Sequence, residues 1–202
     1  MKLYYAAASP FVRKIMMVLH ETDQLNDVEI VSAVGTAVQP GAMPLAQNPL
    51  GKIPALERAD GPAIYDSRVI CRYLDARASA GLYPEGNRLW DILTIEATAD
   101  GMMDAALLMV YEGRIRPKEL NYMPWIDAQW DKIQRAVDAL NARWMSHLSG
   151  SLNMGQIATA CALGYCDFRL PDRDWRKGNE ALADWYEDYS SRDSFQATVP
   201  TA

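Results

Sequence analysis

The chain has 202 residues, half of them hydrophobic and 23% charged, with six Trp and ten Tyr. A chain of this size buries about 70% of its unfolded surface and has the material for one or two compact domains without a metal or a disulfide framework. Its net charge of −6 disfavours nucleic acid and anionic membranes as partners.

Taken in order, residues 2–6 read as a short strand rich in Leu and Tyr that runs straight into Ser9-Pro10, a helix cap followed by the proline favoured at the first helical position. Val12, Ile15, Met16 and Leu19 then recur at helical spacing and predict an amphipathic helix to about Glu21. Arg13 and Lys14 lie off that stripe, are expected to face solvent, and receive no role; they also break the apolar start of the chain, so no export signal is read. Residues 27–32 alternate around Val28 and Ile30 and predict a second strand, followed by an irregular stretch carrying Gly35, Pro40, Gly41 and Pro44. Residues 55–57 and 63–65 flank Asp60-Gly61-Pro62 and predict a hairpin. Asp66-Ser67 then opens a helix with Val69, Ile70, Tyr73 and Leu74 on its apolar face, reaching about Ala78.

The order is β-α-β and then β-β-α, an α/β domain over residues 1–80, with Gly81, Pro84 and Gly86 marking a linker at 81–87. From 88 to 202 no strand pattern remains. Trp90, Leu93, Ala97 and residues 102–111 predict a long helix, Trp130, Ile133, Val137, Leu140 and Trp144 another, and residues 157–165 and 181–189 two more, giving an all-helical domain. Charge divides at the same place: residues 1–80 carry eight basic and eight acidic side chains, residues 81–202 twelve and eighteen. Cys71, Cys161 and Cys166 cannot all pair and lack CxxC spacing, which fits a reducing cytoplasm and supports no metal site. The charge-free stretches are interrupted by Pro, Asn, Gln and Ser, so no membrane span is expected.

Three chain crossings hold residues that packing does not require: Ser9, Ile53-Pro54 and Asp66-Ser67. Ser9 reads as a helix cap, but a hydroxyl that accepts from a helix N–H still has a proton to donate. Only His20 and His147 exist, and no Ser-His-Asp arrangement can be drawn around Ser9, so it is not a covalent nucleophile. Pro54 reads as a strand-start proline and Asp66-Ser67 as a cap that would also suit a carboxylate. As an ordered set, Ser9-Pro10-Phe11-Val12-Arg13-Lys14, Asn48-Pro49-Leu50-Gly51-Lys52-Ile53-Pro54 and Asp66-Ser67 resemble the cytosolic glutathione transferase family, and among its members the YibF-like bacterial group. Residues 157–169 and 194–200 are similar to late segments of bacterial members.

The resemblance implies a thioredoxin-like first domain that binds glutathione and a helical domain that forms the second-substrate site. Ser9 is then the catalytic residue, donating to the glutathione thiolate at a helix N-terminus. Ile53 pairs with the cysteinyl main chain across a cis bond to Pro54, Lys52 lies beside it, and Asp66 and Ser67 hold the γ-glutamyl end. Asp100 resembles an acid that reaches the glutathione amine from the partner subunit of a homodimer. Phe11, Met103, Tyr111 and Arg114 are the expected neighbours of an apolar electrophilic small molecule. The implied protein is a cytoplasmic detoxification enzyme that uses glutathione as co-substrate and no metal. A glutathione-dependent isomerase or peroxidase, and a non-catalytic interaction protein with the same fold, are the alternatives. Two departures stand out. Ser9 occupies the place of the Cys of thiol-transferring members, which favours conjugation over disulfide exchange. Asn153 and Gln156 replace the Ser or Thr and the Asp that the family uses as a folding box.

Overall fold

A computed structural model describes residues 1–201 and divides them into two compact units: Met1–Tyr83 with the segment from Asp193 onward, and Pro84–Arg192. The late segment, expected with the helical domain, belongs to the first unit.

The first unit is built on a four-stranded sheet of β1 (Lys2–Tyr5), β2 (Glu29–Ser32), β3 (Ala55–Arg58) and β4 (Gly61–Ile64), in the order β2-β1-β3-β4. β1 runs parallel to β2 and antiparallel to β3, and β3 runs antiparallel to β4. Helix α1 (Pro10–Glu21) makes the crossover from β1 to β2, and α2 (Ser67–Ala78) follows β4 and packs on α1 and β3. Leu3 and Leu56 on the sheet and Ile15, Leu19, Ile70 and Leu74 on the helices are fully buried, the apolar stripe that the helical spacing announced.

Two local expectations change. The hairpin turns at Ala59-Asp60, not at Asp60-Gly61-Pro62, and β4 starts at Gly61 with Pro62 inside it. β4 is an edge strand, the place where a strand tolerates a residue without an N–H. Arg13 and Lys14 do not face solvent: they are 5% and 0% exposed. The reason is a second cover on α1. Helix α8 (Asp193–Gln196) lies against it. The Arg13 Nη2 donates to the Phe195 carbonyl at 3.0 Å, its Nε to the Thr198 hydroxyl at 3.4 Å, and its guanidinium stacks 3.9 Å from the centre of the Phe195 ring. At the far end of the helix the Ser194 hydroxyl donates to Glu21. Arg13→Met keeps the stem and removes the charged donors, leaving the Phe195 carbonyl with only its bonds from Thr198 N and Oγ1. Its expected cost is about 2 kcal/mol, a fall of about 6 °C in Tm by thermal denaturation.

In the second unit α3 (Arg88–Arg114), α4 (Met123–Ala139), a π-helical turn at Leu140–Trp144 leading into α5 (Met145–Leu148), α6 (Met154–Arg169) and α7 (Glu180–Ser190) form the helical body. α6 is central: every residue from Met154 to Cys166 is buried, and α3 packs along it. Its cap shows what Asn153 and Gln156 do. The Asn153 Oδ1 accepts from Gln156 N at 3.2 Å while its Nδ2 donates to the Ser151 carbonyl at 3.0 Å, and the Gln156 Nε2 donates to the carbonyls of Gly150 and Ser151 at 3.0 and 3.1 Å. Both amides supply donors to the loop ahead of the helix, which a carboxylate cannot do.

All three cysteines are buried and none is in a disulfide. Burial, with the Asp167 charge beside it, pushes the Cys166 thiol up to about 12. Folding therefore favours the neutral thiol, and the stability this contributes is present below the unfolded value and lost as pH rises from there toward 12. A disulfide reagent such as DTNB at neutral pH should find no reactive thiol in the native protein and all three after denaturation; a rapid native reaction would contradict this burial.

Candidate functional site

The strand registers decide where the three chain crossings meet. Tyr4 pairs with Ala55 across the antiparallel β1-β3 ladder, so the end of β1, from which the chain runs to Ser9, lies beside the start of β3, where Pro54 stands. β4 pairs back along β3 with Ile64 opposite Leu56, which returns the chain to the same end of the sheet immediately before Asp66-Ser67. Ser9, Ile53-Pro54 and Asp66-Ser67 thus share one end of the sheet, and two helices begin there.

Ser9 is the cap of α1, with extended backbone at φ −83° and ψ 120°, and its Oγ accepts from Val12 N at 3.3 Å. It is half-buried, and its hydroxyl proton remains available to a ligand. The Ile53–Pro54 peptide bond is cis, as is Tyr65–Asp66. Ile53 is half-buried and Lys52 exposed, with the Lys52 carbonyl held by the Asn48 Nδ2 at 2.8 Å. Asp66 caps α2 through its Oδ1, which accepts from Arg68 N at 3.0 Å; Oδ2 meets the Arg68 guanidinium at 2.8 Å. Burial pushes the Asp66 carboxyl up, but the Arg68 hydrogen bonds and the charges of Arg68 and Lys14 outweigh it and hold Asp66 below its usual value. Ser67, 2% exposed, occupies the first position of α2.

This end of the sheet therefore presents two helix N-termini and a hydroxyl, a setting that favours an anion, and the charge of the fully buried Lys14 reaches Asp66. Lys14 was missed by periodicity because its position off the apolar stripe carries no sign that α1 is covered on that side. The segment from Asp193 reaches the same region: Ala197 and Thr198 line a small cavity with Arg13, Met16 and the Tyr5-Ala6-Ala7 stretch that leads to Ser9.

The remaining expected residues are distributed as follows. Phe11 is half-buried in the first turn of α1. On α3, Asp100 is 6% exposed and so is not a solvated surface acid, Met103 is fully buried and offers no surface to a ligand, Tyr111 is half-buried and Arg114 exposed. Two further residues, Tyr165 and Arg169 on α6, lie close enough to Arg114 to feel its charge; one-helix periodicity could not bring them together with it. Among the described residues no group of His, Cys, Asp and Glu could hold a metal ion, and no helix is long and apolar enough to cross a membrane.

Residues 8–77 match the glutathione S-transferase N-terminal domain and residues 123–188 the glutathione S-transferase C-terminal domain. The chain belongs to the glutathione S-transferase family. Its two units are the thioredoxin-like and all-helical parts of the glutathione S-transferase fold. Over 99% of its length it is 33% identical to YibF, an uncharacterized GST-like protein of Escherichia coli K12, covering 98% of that protein. A glutathione transferase family member from Pseudomonas fluorescens Pf-5, solved with bound glutathione, is 45% identical over the whole chain and 99% of its own, with a TM-score of 0.96. A second structure of a glutathione transferase family member from Pseudomonas fluorescens Pf-5 has bound S-(propanoic acid)-glutathione, at 44% identity and a TM-score of 0.92, each chain covered in full. A glutathione S-transferase of Methylobacillus flagellatus KT with glutathione bound is 35% identical over 99% of both chains, with a TM-score of 0.87.

Proposed function

We propose that this protein is a cytoplasmic glutathione transferase that conjugates glutathione to an electrophilic small molecule, in the service of detoxification. The observation that carries the reading is the convergence of Ser9, Ile53-Pro54 and Asp66-Ser67 at one end of the sheet, in a chain 45% identical throughout to a glutathione-bound relative. In this reading the Ile53 backbone and Lys52 hold the cysteinyl part of glutathione, and Asp66 and Ser67 hold its γ-glutamyl end. Asp100 of the partner subunit in a homodimer completes the site. Ser9 donates its hydroxyl proton in a hydrogen bond to the sulfur, and the positive end of α1 adds to the stabilisation of the thiolate.

The chemistry is a nucleophilic attack. The thiolate lone pair forms a carbon–sulfur bond, and either a leaving group departs with its electron pair or, in addition to an activated double bond, the resulting carbanion takes a proton from solvent. Tyr111 and Arg114 border the second substrate. Binding of S-(propanoic acid)-glutathione by the Pseudomonas family member supports a site that admits a substituent on sulfur, as a conjugation product requires. A hydroxyl free to donate at the first helix start favours catalysis over a scaffold role.

Calorimetric titration of glutathione into the purified protein tests the reading at its base. Binding in the micromolar to low-millimolar range is expected, and no heat of binding up to several millimolar would overturn it. A panel of electrophiles and hydroperoxides then separates conjugation from peroxidase or isomerase use of the same thiolate.

A further inference from the structure

We propose that Asn48 is a positioning residue for glutathione: its buried amide fixes the loop that presents the Ile53 backbone to the ligand. The inference rests on the proposal that Ile53 pairs with the cysteinyl main chain of glutathione. Between Ser32 at the end of β2 and Ala55 at the start of β3 the chain forms neither helix nor strand, so no regular ladder sets the path on which Lys52 and Ile53 lie. A ligand that pairs with main chain needs its partner held in place beforehand, because ordering left undone before binding lowers the affinity.

Asn48 supplies that order. It is 2% exposed, and its main-chain and side-chain polar groups are all used within residues 44–52. Its N–H donates to the Pro44 carbonyl at 2.8 Å, and its carbonyl accepts from Gly51 N at 2.9 Å. Its Oδ1 accepts from Leu50 N at 3.0 Å, and its Nδ2 donates to the Lys52 carbonyl at 2.8 Å. The two main-chain bonds close consecutive turns, and the Nδ2 bond ties the second turn to the residue before Ile53. Gly51 completes that turn at φ +62°, a left-handed conformation that glycine adopts without strain. One residue ahead of Asn48 a separate brace fixes the loop to the sheet: the Gln47 Nε2 donates at 2.8 Å to the Glu57 carboxylate on β3, which also accepts from the Tyr4 hydroxyl on β1.

The bond to Lys52 reaches further than its own residue. The Lys52 carbonyl and the Ile53 N–H belong to one planar trans peptide and point in opposite directions, so holding the carbonyl toward Asn48 aims the Ile53 N–H away from the loop. Among the described residues no backbone group bonds the Ile53 N–H or its carbonyl, which leaves both for a ligand's main chain. Closing the turn alone would need only an acceptor for Leu50 N, which an aspartate provides as well. Gripping the Lys52 carbonyl needs a donor too, and a side-chain amide offers both. An aspartate at 48 would set a carboxylate oxygen against the carbonyl oxygen.

Calorimetric titration of glutathione into Asn48→Ala and Asn48→Asp tests this, with Trp175→Phe in the other unit as a control for lost stability alone. Each Asn48 variant is expected to bind glutathione about tenfold more weakly than the wild type, the equivalent of one residue's backbone left for the ligand to order. Trp175→Phe should bind as the wild type does. Kinetics separate positioning from chemistry. KM for glutathione should rise by the same factor with kcat at saturating glutathione unchanged, since Ile53 holds the ligand equally before and in the transition state. The thiolate of bound glutathione should titrate as in the wild type. If neither Asn48 variant folds, Gln47→Ala, at a half-buried position, carries the test, with about a threefold loss of affinity expected. Wild-type affinity in a folded Asn48 variant, or in Gln47→Ala where it carries the test, or an equal loss in Trp175→Phe, overturns the positioning role while the glutathione reading stands. No binding of glutathione by the wild type overturns that reading and this inference with it.

Discussion

Ser9→Ala should lower the rate of glutathione transfer at pH 6.5 by about ten- to a hundredfold, and the loss should shrink as pH rises. A hydrogen bond to a charged group contributes about 1.5–3 kcal/mol, which corresponds to about one to two units of thiol pKa. Free thiols of this type titrate near 8.5, and a donor hydroxyl stabilises the anion, so bound glutathione should titrate below that value in the wild type and move back toward it in the variant. Below both values the thiolate fraction differs by the full factor; above both it is the same, and the difference closes. Titration of the thiolate by its ultraviolet absorbance in the bound complex reads the shift directly. The cap complicates the alanine variant, because losing the bond to Val12 N costs about 1 kcal/mol of stability. Ser9→Gly resolves this, since glycine is nearly as good a cap but offers no hydroxyl. Equal activity loss in both variants, with a smaller Tm change in Ser9→Gly, is the expected pattern; a glycine variant with wild-type rates at pH 6.5 would leave Ser9 as a cap alone.

Trp175→Ala should be the most destabilising single change in the helical unit. The ring is fully buried, meets Tyr186 edge-on at 5.5 Å between centroids, carries the Arg176 guanidinium 4.2 Å from its centre, and donates its indole N–H to Asp167 at 2.8 Å. Truncating a buried Trp costs about 3–5 kcal/mol, which for a chain of this length is a fall of about 10 °C or more in Tm. Trp175→Phe keeps most of the packing and should cost about 1–2 kcal/mol, because Asp167 still holds Arg176 through both oxygens. Thermal denaturation followed by circular dichroism orders the three proteins; an alanine variant within 3 °C of wild type would show that the loop between α6 and α7 collapses into the space without penalty.

Trp175 also marks the limit of what the chain discloses by itself. It follows Pro171-Asp172-Arg173-Asp174, a run that reads as a connection between helices, and its burial depends on side chains from elements on either side. The elements around the sheet were legible for the opposite reason. Ser9-Pro10 and Asp66-Ser67 are caps whose signals lie within a few residues of the helices they start, and the β-α-β and β-β-α orders follow from local periodicity and turns. Where a residue's surroundings come from far along the chain, local pattern misleads. Arg13 and Lys14 have the sequence of a solvated helix face and the environment of a core, and the Arg114–Arg169 pair forms only when two helices are laid side by side. The hairpin shows the smaller error of a boundary: Gly61-Pro62 has turn composition, yet an unpaired outer edge lets it serve as strand.

The bond partners of Arg13 have a consequence for the order in which the protein can be made. Its acceptors, Phe195 and Thr198, lie 182 and 185 residues further along. A growing chain emits domains in turn, and each ordinarily folds once it has cleared the ribosome. Here the sheet and α1 emerge early but lack one side of their packing until the whole helical unit and the segment from Asp193 have followed. During synthesis the first unit waits in an incomplete state with Arg13 and its neighbours open to water, so its maturation is tied to completion of the second unit rather than preceding it.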